Sequence, residues 1–147
     1  MHEEYMRQAL ALAREAAAAG EVPVGCVIVK DGEVIGAGYN RRETDKSVLG
    51  HAELMAIRQA EQALGDWRLT GCALYVTLEP CPMCAGAILN ARVDTVVCGA
   101  SDCTFGACGG VMNLFEEAFG FRPKLYKGVL EEECAALMTA FFQGLRK

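Results

Sequence analysis

The chain has 147 residues, 52% of them hydrophobic and 22% charged; this suffices for one packed core and excludes a disordered or collagen-like chain. Its net charge of −5 excludes capture of long nucleic acid by charge alone, so any nucleic-acid contact has to be local and shape-driven. No apolar stretch approaches the ~20 residues needed to span a bilayer, and the acidic start Met1-His2-Glu3-Glu4 does not read as a signal peptide; the expectation is a cytoplasmic protein with no membrane contact.

Residues 2–19 read as a helix, with Tyr5, Met6, Ala9, Leu12 and Ala13 at helical spacing, stopped at Gly20. Residues 22–29 are continuous and β-branched, which predicts a buried strand. Asp31-Gly32 signals a two-residue hairpin, so residues 34–39 return antiparallel. Residues 41–50 form a polar loop, and a second helix opens at His51 and runs to about Leu64. Residues 72–78 form a third strand, Glu79-Pro80-Cys81-Pro82 a turn, and residues 83–91 a helix. Residues 94–98 are a fourth strand, and the glycines at 99, 106, 109 and 110 mark a loop. Residues 111–119 read as a short helix and 123–129 as an edge strand. A last helix begins at Glu131-Glu132-Glu133 and buries Leu137, Phe141 and Leu145. No repeat or linker divides the chain, so residues 1–147 read as a single domain. A hairpin followed by alternating strands and helices predicts an α/β fold with a mixed sheet covered on both faces. Ligand sites in such sheets lie beyond the carboxyl ends of the strands.

Two motifs fall at that end. His51-Ala52-Glu53 opens one helix, and Pro80-Cys81-Pro82-Met83-Cys84 opens another after a strand. Cys81 and Cys84, three apart, face one way on a helical turn, and a helix N-terminus favours thiolates. With His51 they make three zinc ligands and leave a fourth position for water. Glu53 completes the set as general acid–base beside that water. Taken alone, His-X-Glu is uninformative, and Cys-X-X-Cys after a strand fits a redox pair as well as a metal pair. The redox reading gives His51 and Glu53 no role. The combination is the signature of zinc nucleobase deaminases.

Cys26, Cys72, Cys98 and Cys134 read as buried small hydrophobes, while Cys103 and Cys108 lie in the loop beside the motifs. Trp67 reads as a core plug. Phe105, an aromatic in a Gly-rich loop, fits either a base-stacking role or an interface between subunits. Arg41, Arg42, Lys46, Arg122, Lys124, Lys127, Arg146 and Lys147 are either a local basic rim or ordinary solvated surface.

Over nearly its whole length the chain resembles the bacterial tRNA-specific adenosine deaminases of the cytidine deaminase-like superfamily. The resemblance runs through Glu21-Val22-Pro23-Val24-Gly25, Tyr39-Asn40-Arg41-Arg42-Glu43, His51-Ala52-Glu53-Leu54-Met55-Ala56-Ile57, and Trp67-Arg68-Leu69. It continues through Leu74-Tyr75-Val76-Thr77-Leu78-Glu79-Pro80-Cys81-Pro82-Met83-Cys84-Ala85-Gly86-Ala87-Ile88 and Gly128-Val129-Leu130-Glu131-Glu132-Glu133-Cys134. It implies a three-layer α/β/α fold with a mixed five-stranded sheet, a homodimer, and one zinc ion per subunit held by His51, Cys81 and Cys84. The implied reaction is hydrolytic conversion of adenosine to inosine at the wobble position of a tRNA anticodon loop. Zinc hydroxide attacks C6 of adenine, and Glu53 shuttles the proton. Asn40 and Asp102 match the substrate-binding positions of the family. The chain departs from the family pattern at Ser47-Val48-Leu49-Gly50, where Asp-Pro-Thr-Ala is usual. It departs again at Cys103-Thr104-Phe105-Gly106, where a Lys is usual. Both loops border the expected pocket, so a free purine or pyrimidine base or nucleoside, of guanine or cytosine type, stands as the alternative substrate.

Overall fold

The structure, a computed structural model, describes residues 1–145; Arg146 and Lys147 of the expected basic rim lie outside the described residues. Helix α1 (His2–Ala18) buries Met6, Ala9, Leu10, Ala13 and Ala16 along one stripe. The chain turns at Gly20, whose φ is +81°. Strand β1 is Gly25–Lys30, so it starts later than Val22. Pro23 has no N–H to give a ladder, and Val24 N–H bonds back to Val22 O at 2.9 Å, which bends residues 22–24 out of the sheet. Asp31 and Gly32 both take positive φ, 50° and 80°, as a hairpin of this type requires. Strand β2 (Glu33–Tyr39) returns antiparallel.

The 41–50 segment is not wholly loop: a short helix α2 (Arg42–Asp45) forms within it. Helix α3 (Ala52–Leu64) has His51 at its N-cap and ends at Gly65, φ +67°. Strand β3 (Ala73–Leu78), helix α4 (Pro82–Ala91) and strand β4 (Thr95–Ala100) follow. The helix expected over residues 111–119 is reduced to a single 3₁₀ turn, Leu114–Glu116. Asn113 bridges to Cys108 and caps that turn through Phe115 N–H. It thereby takes up the backbone groups that a longer helix would need. Strand β5 is short, Lys124–Tyr126, and α5 is Glu131–Leu145.

The five strands lie in the order β2-β1-β3-β4-β5. β1 is antiparallel to both β2 and β3, while β3, β4 and β5 run parallel. Side chains alternate across the sheet with period two. Cys26, Ile28, Leu74, Val76, Val96 and Cys98 face α3 and α4; Val27, Val29, Tyr75 and Val97 face α1 and α5. This is the expected three-layer arrangement. Two packing expectations fail. On α5 only Cys134 is buried, Leu137 and Phe141 are half-buried, and Leu145 is 66% exposed; the three-residue edge strand β5 offers little sheet to cover the rest of its stripe. Trp67 is 53% exposed, with the Arg68 and Arg92 guanidinium groups over its ring at 5.0 and 5.9 Å. No helix among the described residues is long and apolar enough to cross a membrane.

The approach of α3 to β2 depends on missing side chains. A Cβ on Gly36 would collide with Ala56 O and lie 3.0 Å from Ala60 Cβ. One on Gly38 would lie 2.7 Å from both Ala52 O and Met55 Cβ. A Gly36→Ala variant should therefore lose about 1–3 kcal/mol through overpacking, read as a lower urea midpoint.

Candidate active site

The carboxyl ends of β2, β3 and β4 share one end of the sheet, because Gly25 at the start of β1 pairs with Tyr39 and Leu78 pairs with Ala100. Helices α3 and α4 both begin there. His51 leaves the preceding loop in an extended conformation, φ −97° and ψ 145°, held by its N–H to Leu49 O at 2.8 Å. Cys81 does the same before α4, φ −74° and ψ 173°, with Pro82 fixing the first helical residue.

These two N-caps bring three soft donors together. His51 Nδ1 lies 3.7 Å from Cys81 Sγ and 3.5 Å from Cys84 Sγ. All three ligand atoms lie within 4.8 Å of one another. One imidazole nitrogen and two sulfurs at this spacing suit a tetrahedral zinc with one position left open. The protons already show the strain of so close a set. Hydrogen bonds from the Cys84 thiol and the His51 ring pull the Cys81 thiol down to about 4. The bond to Cys81 raises His51 against the opposing effect of burial, and Cys84 is pushed strongly upward by Cys81 and by burial.

Glu53, on the first turn of α3, is 3% exposed. Burial drives its carboxyl up to about 7, against the lowering effects of its own backbone N–H and the nearby His51. With His51 and Cys81 it lines a cavity of about 460 Å³. Asn40, Arg42, Asp102 and Phe105 line the same cavity; Cys84 is fully buried behind it, in contact with His51. Asn40 is also a brace: its Nδ2 donates to Val22 O and its Oδ1 accepts from Arg42 N–H, both at 3.1 Å.

Four of the six described residues of the expected basic rim are engaged by neighbours, Arg42 among them through Glu43 at 3.4 Å. Of the described basic residues in the expected set, only Arg42 lines the cavity. Arg41 pairs with Asp45 at 3.2 Å, Lys127 with Glu79 at 3.4 Å, and Arg122 donates to Glu116 O at 3.0 Å. Lys124 begins β5, which is parallel to β4 and so starts at the opposite end of the sheet.

Two carboxylates that sequence reasoning left without a role support the cavity walls. Glu79, with a side chain 0% exposed, accepts N–H bonds from Asp102 at 3.1 Å, Cys108 at 2.8 Å and Gly110 at 2.7 Å, and an ammonium from Lys127 at 3.4 Å. Burial acts to raise this acid, but those donors hold it below the ordinary range. The 102–110 loop is thus wrapped around one carboxylate. Glu21 does the same for α2, accepting from Glu43 N–H at 3.1 Å and from Thr44 N–H and Oγ1–H at 2.6 Å. Its position directly after a helix stop is a faint sequence signal; the partners of Glu79 lie too far along the chain to leave one.

With the geometry described, comparison with known proteins is informative. Residues 1–100 match the family described as the cytidine and deoxycytidylate deaminase zinc-binding region, and the chain belongs to that family. It is 51% identical to the tRNA-specific adenosine deaminase of Bacillus subtilis over 99% of this chain and 91% of that one. A solved structure from a study of A-to-I editing by tRNA:A34 deaminases at the wobble position of transfer RNA is 43% identical. It superposes with a TM-score of 0.87 over 91% of this chain and 98% of that chain. The guanine deaminase of Bacillus subtilis is less similar, 35% identical with a TM-score of 0.68 over 99% of this chain and 94% of that one.

Two stability predictions follow from the carboxylates. Glu79→Gln offers one acceptor oxygen where four donors converge, and each buried donor left unmet costs about 1–3 kcal/mol. The variant should unfold at lower urea, with faster amide exchange across residues 102–110. For Glu21, burial opposes ionisation, but the Thr44 hydroxyl and the backbone N–H groups of Glu43 and Thr44 win and lower its pKa below the ordinary 4.5. Its stabilisation is therefore fully present above 4.5 and lost as pH falls through the lower folded value. Glu21→Gln should flatten the acid limb of the stability–pH curve measured by urea unfolding.

Proposed function

We propose that the chain is a zinc-dependent deaminase that converts adenosine to inosine at the wobble position of tRNA, with water consumed and ammonia released. The observation that carries this reading is the His51–Cys81–Cys84 group beside buried Glu53 in one cavity. The substrate assignment draws on the likeness to the Bacillus subtilis tRNA-specific adenosine deaminase over almost the full chain. Residues 1–147 would act as a single domain, as a homodimer in the cytoplasm with one zinc per subunit. Exposed Val48, Leu49, Val111 and Met112 are consistent with a partner subunit covering this end of the molecule.

His51 Nδ1 and the sulfurs of Cys81 and Cys84 would hold the metal. A bound zinc would lower the pKa of a coordinated water to about 7. Glu53 does the proton work. Its carboxyl is buried beside the metal-binding group, and burial raises it towards neutrality, which suits a group that both takes and gives a proton. It would remove a proton from the attacking water and deliver it to the purine ring, then take the proton of the new C6 hydroxyl and pass it to the amine, which leaves as ammonia. Asn40, fixed between Val22 and Arg42, holds the purine, and Asp102 meets the flanking nucleotides. An anticodon loop is already unpaired, so presenting its base costs little, and a net charge of −5 is no obstacle to so local a contact.

His51→Ala should lose zinc by metal analysis. Glu53→Gln should keep zinc but lose activity by ~10²-fold or more; loss of zinc from that variant would make Glu53 a ligand and overturn its role. The substrate test is incubation of the zinc-loaded protein with an anticodon stem-loop and, separately, with free guanine, cytosine and adenosine. Inosine in the stem-loop is the expected result. Ammonia from a free base alone would overturn the tRNA reading.

A further inference from the structure

We propose that Phe105 is a nucleobase-stacking residue, its ring forming the outer wall against which a base next to the target adenosine packs. The inference rests on the tRNA reading above and concerns this chain's own departure at residues 103–106.

Phe105 lines the same cavity as His51, Glu53 and Cys81, yet it is 68% exposed. Its loop had an inward alternative: Ala107 and Cys108, two and three residues on, are 0% and 1% exposed and sit in the core. The ring is held out in water at the mouth of the cavity while its neighbours are packed.

It is also held firmly. Asp102 Oδ1 accepts from Phe105 N–H at 3.2 Å, Thr104 N–H at 3.0 Å and Thr104 Oγ1–H at 2.7 Å. Asp102 O accepts from Gly106 N–H at 3.0 Å, and Pro80 O from Ala107 N–H at 2.8 Å. Glu79 then fixes both ends of the loop through Asp102, Cys108 and Gly110. A fixed backbone leaves little of the ring's ordering to be done on binding. With Thr104 turned onto Asp102, Phe105 is the large side chain this loop offers to the cavity.

Affinity for an RNA loop has two general sources, phosphate neutralisation and base stacking. The first is limited here, because Arg41, Arg42 and Lys127 are paired with carboxylates and Lys124 starts at the far end of the sheet. Stacking does not depend on charge, and an aromatic ring fixed at the cavity mouth supplies it.

The test uses the zinc-loaded full chain and anticodon stem-loops carrying an abasic residue at each position flanking the target in turn. Phe105→Ala should raise KM for the intact stem-loop by roughly 5- to 150-fold, the range of one lost base–aromatic stack, with the loss falling on KM more than on kcat. Phe105→Trp should restore the wild-type KM. One abasic position should raise the wild-type KM by a similar factor and leave that of Phe105→Ala unchanged. An unchanged KM in Phe105→Ala overturns the inference while leaving the tRNA reading intact. So does an abasic penalty that persists in the variant, or a change of oligomeric mass by light scattering that accounts for the loss. No inosine from the wild type with any stem-loop overturns both.

Discussion

The site depends on how closely α3 lies against β2. Gly36 and Gly38 remove the side chains that would hold the helix off the sheet, so α3 settles on the face that also carries α4. Both helices then start at the same end of the sheet, and their N-caps, His51 and Cys81, meet. Residues 30 positions apart in sequence thereby place a ring nitrogen 3.7 Å from a sulfur. Helix N-termini favour anionic sulfur, and the same geometry that assembles the three donors favours the thiolate at Cys81.

Three buried glutamates show how environment divides the work of one side-chain type. Glu21 and Glu79 face backbone N–H groups of polar loops, and those donors outweigh burial and keep both acids ionised. They act as clasps, one for α2 and one for the 102–110 loop. Glu53 faces the metal-binding group with fewer donors to compensate, so burial dominates and raises it. The two clasps hold the cavity walls in place, and the third carboxyl stays free to exchange its proton.

Much of this was readable beforehand where the chain punctuates itself. Asp31-Gly32 and Gly20 marked turns that the backbone takes with positive φ, and the two motifs lie on helix starts as expected. The misreadings share a cause: local pattern overridden by tertiary surroundings. Residues 111–119 carry helical composition, but Asn113 is committed to Cys108 and to its own cap. Trp67 is apolar enough for a core, yet two arginines cover its ring at the surface. The basic residues at 122–127 are parted by the fold: Lys124 starts at the far end of the sheet and Lys127 turns to Glu79. Glu79 left no sequence signal because its partners stand 23 to 48 residues downstream.

The sheet closes its exposed margins unequally. On one side β5 is only three residues long, begins directly after Pro123, and carries an exposed lysine at its first position. A strand so short, led in by a residue without an N–H and marked by a cation, is a poor template for a foreign strand. On the other side β2 is seven residues long, and it is blunted by the exposed charge of Glu33, by a bulge that leaves Ile35 unpaired, and by Gln59, whose Oε1 takes the Ala37 N–H at 2.8 Å. The margin at β5 is thus guarded by brevity, and the margin at β2 by side-chain capping and a bulge.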